Sequence, residues 1–199
     1  MLPRYRGRVT GYGPVSMTFL RHGLLSGRAI VLAGATPAGV AAALADLGAG
    51  VLGLDAALDE DRAREWAAGA APIHAVVYDT GSDFADAGQT ALGESLEQAW
   101  VAVRAVATGA FIRAGKGKVV LIAPRPDRGP FAAAARAALE NLARTLSVEW
   151  ARYGVTAVAI APGNNTTHDE LAELVCYLVS PAGEYFSGCL FELGQGVRE

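Results

Sequence analysis

From residue 29 onward, short apolar runs alternate with helical patterns, and no other feature of the chain restricts its fold so tightly. Strands are expected at Ala29–Ala33, Gly50–Leu54, His74–Tyr78, Lys118–Ala123, Val155–Ile160 and Cys189–Leu193. Helices are expected over 37–47, 59–68, 90–113, 131–153 and 169–179. Strands separated by helices pair in parallel, because a parallel neighbour is reached only through a long crossover. Several strands read as unbroken apolar runs (AIVLA, KVVLIA, VTAVAI), the pattern of a sheet covered on both faces. The expected fold class is therefore α/β: a Rossmann-like, doubly wound parallel sheet of about six strands with helices on both faces.

Local signals agree. Thr36 before Pro37 reads as an N-cap with proline at the first helical position, and Gly48 as a left-handed stop. Helix 131–153 follows Pro130 and stops at Gly154. It carries Phe131, Ala135, Leu139, Leu142, Leu146, Trp150 and Tyr153 at three- and four-residue steps, one apolar stripe for the core. The 199 residues, 52% of them hydrophobic, suit one compact domain with a real core. Cys176 and Cys189 make neither a disulfide framework nor a metal site, and His22 and His74 have no ligand-spaced partners, so no metal is expected. No apolar stretch reaches the roughly 18 residues of a membrane span, and no signal peptide opens the chain, so a cytoplasmic location is expected.

Charge is uneven. Residues 1–28 hold five arginines (4, 6, 8, 21 and 28) and no acid, leaving 12 basic against 20 acidic groups beyond. The division expected is a basic N-terminal arm over 1–23 and a single Rossmann-like domain over 24–199. A basic arm binds nucleic acid or a membrane surface, or packs on its own acidic body or on a sister subunit. This one lacks lysines and interleaved aromatics, which favours packing on protein; neither nucleic acid nor membrane is expected as a partner.

Three stretches carry a family likeness: "GKVVLIA", "AALENLARTLSVEWARYGVTAVAIAPG" and "DELAELVCYLVSPAGEYFSGCLFELGQG". In wording and order they resemble the short-chain dehydrogenases/reductases, closest in flavour to the bacterial 3-oxoacyl-carrier-protein reductases. "RAIVLAGATPAG" resembles that family's opening strand and glycine turn, and "IHAVVYDTG" the strand that normally ends Asn-Asn-Ala-Gly; the likeness spans roughly residues 24–196. The resemblance implies hydride exchange with a nicotinamide, using a tyrosine as general acid/base, a lysine four residues later to lower its pKa, and a serine to orient the substrate carbonyl. Aligned on "AALENLARTLSVEW", the tyrosine position holds Ala132, the lysine position Arg136, and the serine position falls at Ala123–Pro124. No Tyr-x-x-x-Lys pair occurs anywhere, since the only lysines are Lys116 and Lys118, and no serine or threonine lies between 109 and 144. No catalytic residue is therefore expected.

The same resemblance marks Gly34, Thr36 and Gly39 as the glycine turn against a pyrophosphate, Asp55 as the ribose acceptor, and Thr167 in "APGNNTT" as the contact to the nicotinamide carboxamide. Each has a second reading. Gly34-Ala-Thr-Pro-Ala-Gly39 keeps two of the family's three glycines at altered spacing and also reads as a structural turn, and Asp55 as a loop cap. Only 17 residues separate Asp55 from Ile73, where the family fits another strand and helix, so the sheet order expected is 2-1-3-4-5-6. Asp169 leads almost directly into the final helix, leaving no room for the family's substrate lid. The cofactor expected is none, or weakly held NAD(P).

The function expected is a non-catalytic short-chain dehydrogenase/reductase-like protein, a structural or regulatory subunit. Its partner is expected to be itself or an active relative, met through helices 90–113 and 131–153; small residues of the second (Ala132, Ala133, Ala137) allow close approach. Two alternatives stay open. One is an NAD(P)-dependent oxidoreductase with an atypical acid, a water held by Asp79 or His168. The other is a nucleotide or small-ligand sensor resting on Gly34–Gly39 and Asp55.

Overall fold

The computed structural model describes residues 20–35, 39–81 and 89–194. The expected arm up to residue 19, and Thr36 with Pro37, lie outside the described residues. Six strands form one sheet: β1 (Ala29–Gly34), β2 (Gly50–Gly53), β3 (Ala75–Asp79), β4 (Gly117–Ile122), β5 (Val155–Ala161) and β6 (Cys189–Glu192). Every pairing is parallel and the order is β2-β1-β3-β4-β5-β6, as the sequence predicts. The alternation expected along each strand divides the core. Val31, Val76, Tyr78, Val119, Leu121 and Ala157 face one way, and Ile30, Val77, Val120, Ile122, Val158 and Ile160 the other.

Helices cover both faces, as the unbroken apolar strands require. On the first face lie α2 (Glu60–Ala70), α3 (Gln89–Val106) and α5 (Ala132–Glu149). On the second lie α1 (Val40–Asp46) and α6 (His168–Leu178). The stripe predicted for α5 is its buried side: Ala135, Leu139 and Leu146 are in the core, and Leu142, Trp150 and Tyr153 pack against it. Ala132, read with Ala133 and Ala137 as one small-residue face for close helix approach, is 1% exposed and belongs to the chain's own core, three residues before Ala135 on the buried stripe. Ala133 and Ala137 do lie on the outside.

The helix expected over 90–113 differs in one respect. After Val106 it continues through a π-helical turn, Ala107–Phe111, and a last short turn, α4 (Ile112–Ala114). The irregularity coincides with a close crossing: a Cβ on Gly109 would lie 2.5 Å from the Arg64 carbonyl of α2. Phe111 then fills the space above Gly117 at the start of β4, where an added Cβ would fall 2.2 Å from its ring. None of the described helices is long and apolar enough to cross a membrane.

Candidate functional site

In an open parallel sheet with helices on both faces, ligands bind beyond the carboxyl ends of the strands. Those ends are Gly34–Ala35, Leu54–Asp55, Asp79–Thr80, Ala123–Pro124 and Pro162–Gly163. The first is pinned tightly: the Ala35 N–H donates to the Asp79 carbonyl at 2.9 Å. Gly34 has φ +72°, and a Cβ there would lie 2.3 Å from that same carbonyl oxygen. Glycine is required at this point by the neighbouring strand, whatever else approaches it.

Gly34 and Asp55 line one cavity of about 520 Å³ between α2 and α3. Its walls are largely apolar, with Leu54, Leu58, Tyr78 and Val101, while Asp55, Glu94, Glu97 and Gln98 give it polar groups. Three carboxylates around one mouth repel an anionic dinucleotide and favour a neutral or cationic guest. β2 is the edge strand, so nothing of the sheet lies beyond Asp55 on that side. The Asp55 carboxylate accepts the Ala57 N–H at 2.9 Å, which is the loop cap anticipated as its second reading.

The remaining turn residues are elsewhere. Gly39, at φ +92°, is the N-cap of α1 and contributes no side-chain cap; it lines a separate groove between α1 and α6. α1 is only seven residues long, shorter than the turn-plus-helix of a strong phosphate cradle. Thr36 lies outside the described residues. Thr167 is the N-cap of α6 and forms a reciprocal capping box: its Oγ1 accepts the Glu170 N–H at 3.1 Å, and the Glu170 carboxylate accepts the Thr167 N–H at 2.8 Å. His168 is exposed in the first turn of that helix. Asp79 is buried and accepts the Gly81 N–H at 2.8 Å.

Two arginines occupy the cleft above β4 and β5. Arg136, in the first turns of α5, donates from Nη1 to the carbonyls of Pro124 at 3.0 Å and Pro162 at 2.7 Å. Burial holds its guanidinium below the usual arginine range, while the charge of Glu192 acts in the opposite direction. Arg125, on the loop after β4, donates to the carbonyls of Gly163 at 2.9 Å, Asn164 at 3.1 Å and Thr166 at 2.6 Å. The Thr166 hydroxyl, 3% exposed as a residue, accepts the Gly163 N–H at 2.9 Å and closes the loop. Guanidinium N–H groups thus tie the two buried proline carbonyls and the loop carbonyls after β5 together. Ala132 and Ala123 supply nothing that titrates. Among the described residues no group of His, Cys, Asp and Glu is arranged to hold a metal ion.

Sequence reading found Arg136 only as a replacement and passed over Arg125. Its partners lie 38 to 41 residues away, a separation at which no local pattern exists. The capping box was visible, since Thr167-His-Asp-Glu170 spells the Thr-x-x-Glu signature.

No protein-family model matches the chain, and no curated protein matches it. Solved structures do. A citronellol catabolism dehydrogenase of Pseudomonas aeruginosa PAO1 superimposes with a TM-score of 0.69 at 22% identity, covering 87% of this chain and 95% of that one. A short-chain type dehydrogenase/reductase from Mycobacterium marinum gives 0.69 at 20% identity, covering 84% and 94%. A Beutenbergia cavernae protein provisionally assigned as an NAD(P)-dependent gluconate 5-dehydrogenase, holding NADP at low occupancy, gives 0.66 at 22% identity over 84% and 95%. At these identities the likeness establishes the fold alone, a Rossmann-like α/β sheet of six parallel strands that this chain shares with those dehydrogenases.

Proposed function

We propose that this chain, built on the short-chain dehydrogenase/reductase fold, is a non-catalytic member of that family: a structural or regulatory subunit assembling with itself or with an active relative. One observation carries the reading. The positions that would hold the acid/base tyrosine and its lysine are Ala132, buried, and Arg136, whose Nη1 is committed to the carbonyls of Pro124 and Pro162. A phenol has to be brought down toward working pH by a free cation beside it, and here neither partner of that pair is in place.

Assembly is the role that remains. Ala133 and Ala137 are small and exposed on α5, and Val148, three turns further along, is 75% exposed. Small side chains let a second helix come close, and an apolar residue at the end of the same helix gains from being covered. The test pairs two measurements on the purified protein. Analytical ultracentrifugation, alone and with an intact relative from the same cell, should give a dimer or larger, and Ala137→Arg should dissociate it. Turnover of NADH or NADPH with a panel of carbonyl compounds should stay at background. A monomer under every condition, or reduction by the pure protein, refutes the reading.

The cavity beside Asp55 favours a second reading, a sensor without turnover. Its apolar walls with carboxylates at the mouth suit a neutral or cationic small molecule better than NAD(P). Such a ligand raises the unfolding temperature of the wild type, and Glu97→Lys removes the effect, because only the folded state offers the cavity.

A further inference from the structure

The opposite edge of the sheet gathers cations. Arg28 precedes β1, His74 precedes β3, Lys116 and Lys118 flank the start of β4, and Thr156 is the second residue of β5. These four strands are consecutive neighbours, so the side chains come together along one edge. They line a depression of about 240 Å³ whose one acidic lining residue is Glu184, from the turn after α6. Three fixed cations therefore face one carboxylate.

Arg28 Nη2 is paired with Glu184 at 2.6 Å, which holds the guanidinium charge beside the depression, while its Nε is shut off from solvent and meets no hydrogen-bond partner among the described residues. His74 Nδ1 accepts the Ala29 N–H at 3.1 Å, so the neutral ring carries its proton on Nε2 as a donor. Burial, together with Arg28 and Lys116, pushes that imidazole below its ordinary pKa and keeps it in this neutral form. Lys118 is only 2% exposed; its Nζ donates to the Gly183 carbonyl at 2.9 Å and the Phe186 carbonyl at 2.5 Å, two uses for three N–H groups. Lys116 is exposed at the mouth.

We propose that this depression binds a phosphate-class oxyanion, either inorganic phosphate or the phosphoryl end of a small metabolite. A guanidinium, two ammonium groups and a hydroxyl match a tetrahedral anion with several acceptor oxygens. The volume excludes a dinucleotide, and the position, at the amino ends of the strands, is remote from the cleft above β4 and β5. The site is independent of whether the chain catalyses anything. Glu184 competes with the anion for Arg28, which gives the proposal a signature of opposite signs.

Isothermal titration of the full chain with sodium phosphate, and separately with phenyl phosphate, at fixed ionic strength tests it. Saturable binding at one site is expected. Lys116→Gln, which removes one exposed charge, should weaken it about tenfold, and Glu184→Gln should tighten it severalfold, because the anion no longer shares Arg28. Both changes are at exposed side chains, and circular dichroism verifies that the fold persists. Tighter binding of phenyl phosphate identifies a phosphorylated metabolite as the natural guest, and equal binding identifies free phosphate. Unsaturable heat up to about 10 mM of either probe, or the same affinity in all three proteins, overturns the proposal.

Discussion

Replacing Arg136 by methionine removes the tie across the carboxyl ends of β4 and β5 while keeping most of the side chain's apolar stem. Two hydrogen bonds from one charged Nη1 are lost, to Pro124 at 3.0 Å and Pro162 at 2.7 Å. Bonds to a charged donor contribute about 1.5–3 kcal/mol each when well buried. Arg136 is half-buried, so water reaches part of the gap and each bond is worth nearer 1 kcal/mol. Pro124 and Pro162 are themselves buried, so their carbonyls recover little of that from solvent. A loss of about 2 kcal/mol follows, equivalent to about 4–8 °C in Tm for a domain of this size. Urea titration followed by circular dichroism reads the change as a lower midpoint at unchanged slope. Arg136→Lys should fall between the two proteins, because one ammonium has to replace a planar fork without its geometry. A methionine variant within about 0.5 kcal/mol of wild type would show that the guanidinium is not holding the strand ends, and the structural account of this cleft would fail.

Three further changes test other joints of the structure. Gly34→Ala puts a Cβ 2.3 Å from the Asp79 carbonyl at a positive φ and should destabilise by more than about 2 kcal/mol, read by the same urea titration. Thr167→Ala should cost about 1 kcal/mol through the lost capping box, whereas Thr167→Ser should be nearly neutral; equal losses would assign the residue another role. Burial lowers Lys118 to about 8, below its unfolded value, so the unfolded chain holds the extra proton between the two pKa values. Stability should therefore rise with pH from about 8 to 10.5 by at most about 3 kcal/mol, and Lys118→Met should flatten that rise. Comparing the two proteins cancels the opposite effect of Cys176, whose thiol burial pushes up to about 12. Parallel pH curves for both would mean the ammonium is not desolvated.

The architecture was legible because its signals are local. A strand such as VTAVAI announces burial on two faces by itself, and the short interval between Asp55 and Ile73 leaves no room for a further strand and helix, which fixes β2 as the edge. The π-helical turn at Ala107–Phe111 was not legible, since a single glycine within a helical pattern does not specify one; it coincides with the close approach of α2 to Gly109. Ala132 is a different case: it stands three residues before Ala135 and seven before Leu139, so helical periodicity alone places it on the buried stripe. Site residues divide similarly. Asp55 and Thr167 act on neighbours two and three residues away, so their capping roles could be read from spacing. Arg125 and the cation cluster around Lys118 depend on strand order and on a loop after α6, and exist only in three dimensions.

The two edges of the sheet meet one physical problem in opposite ways. At the carboxyl edge, Arg125 and Arg136 make five N–H···O contacts to backbone carbonyls, from two guanidinium groups that hold five N–H donors each. At the amino edge three cations line a depression with one carboxylate, and among the described residues Arg28 Nε has no hydrogen-bond partner. Chemistry at a protein surface requires unspent capacity. In this molecule the exposed Lys116 ammonium at the amino edge offers it.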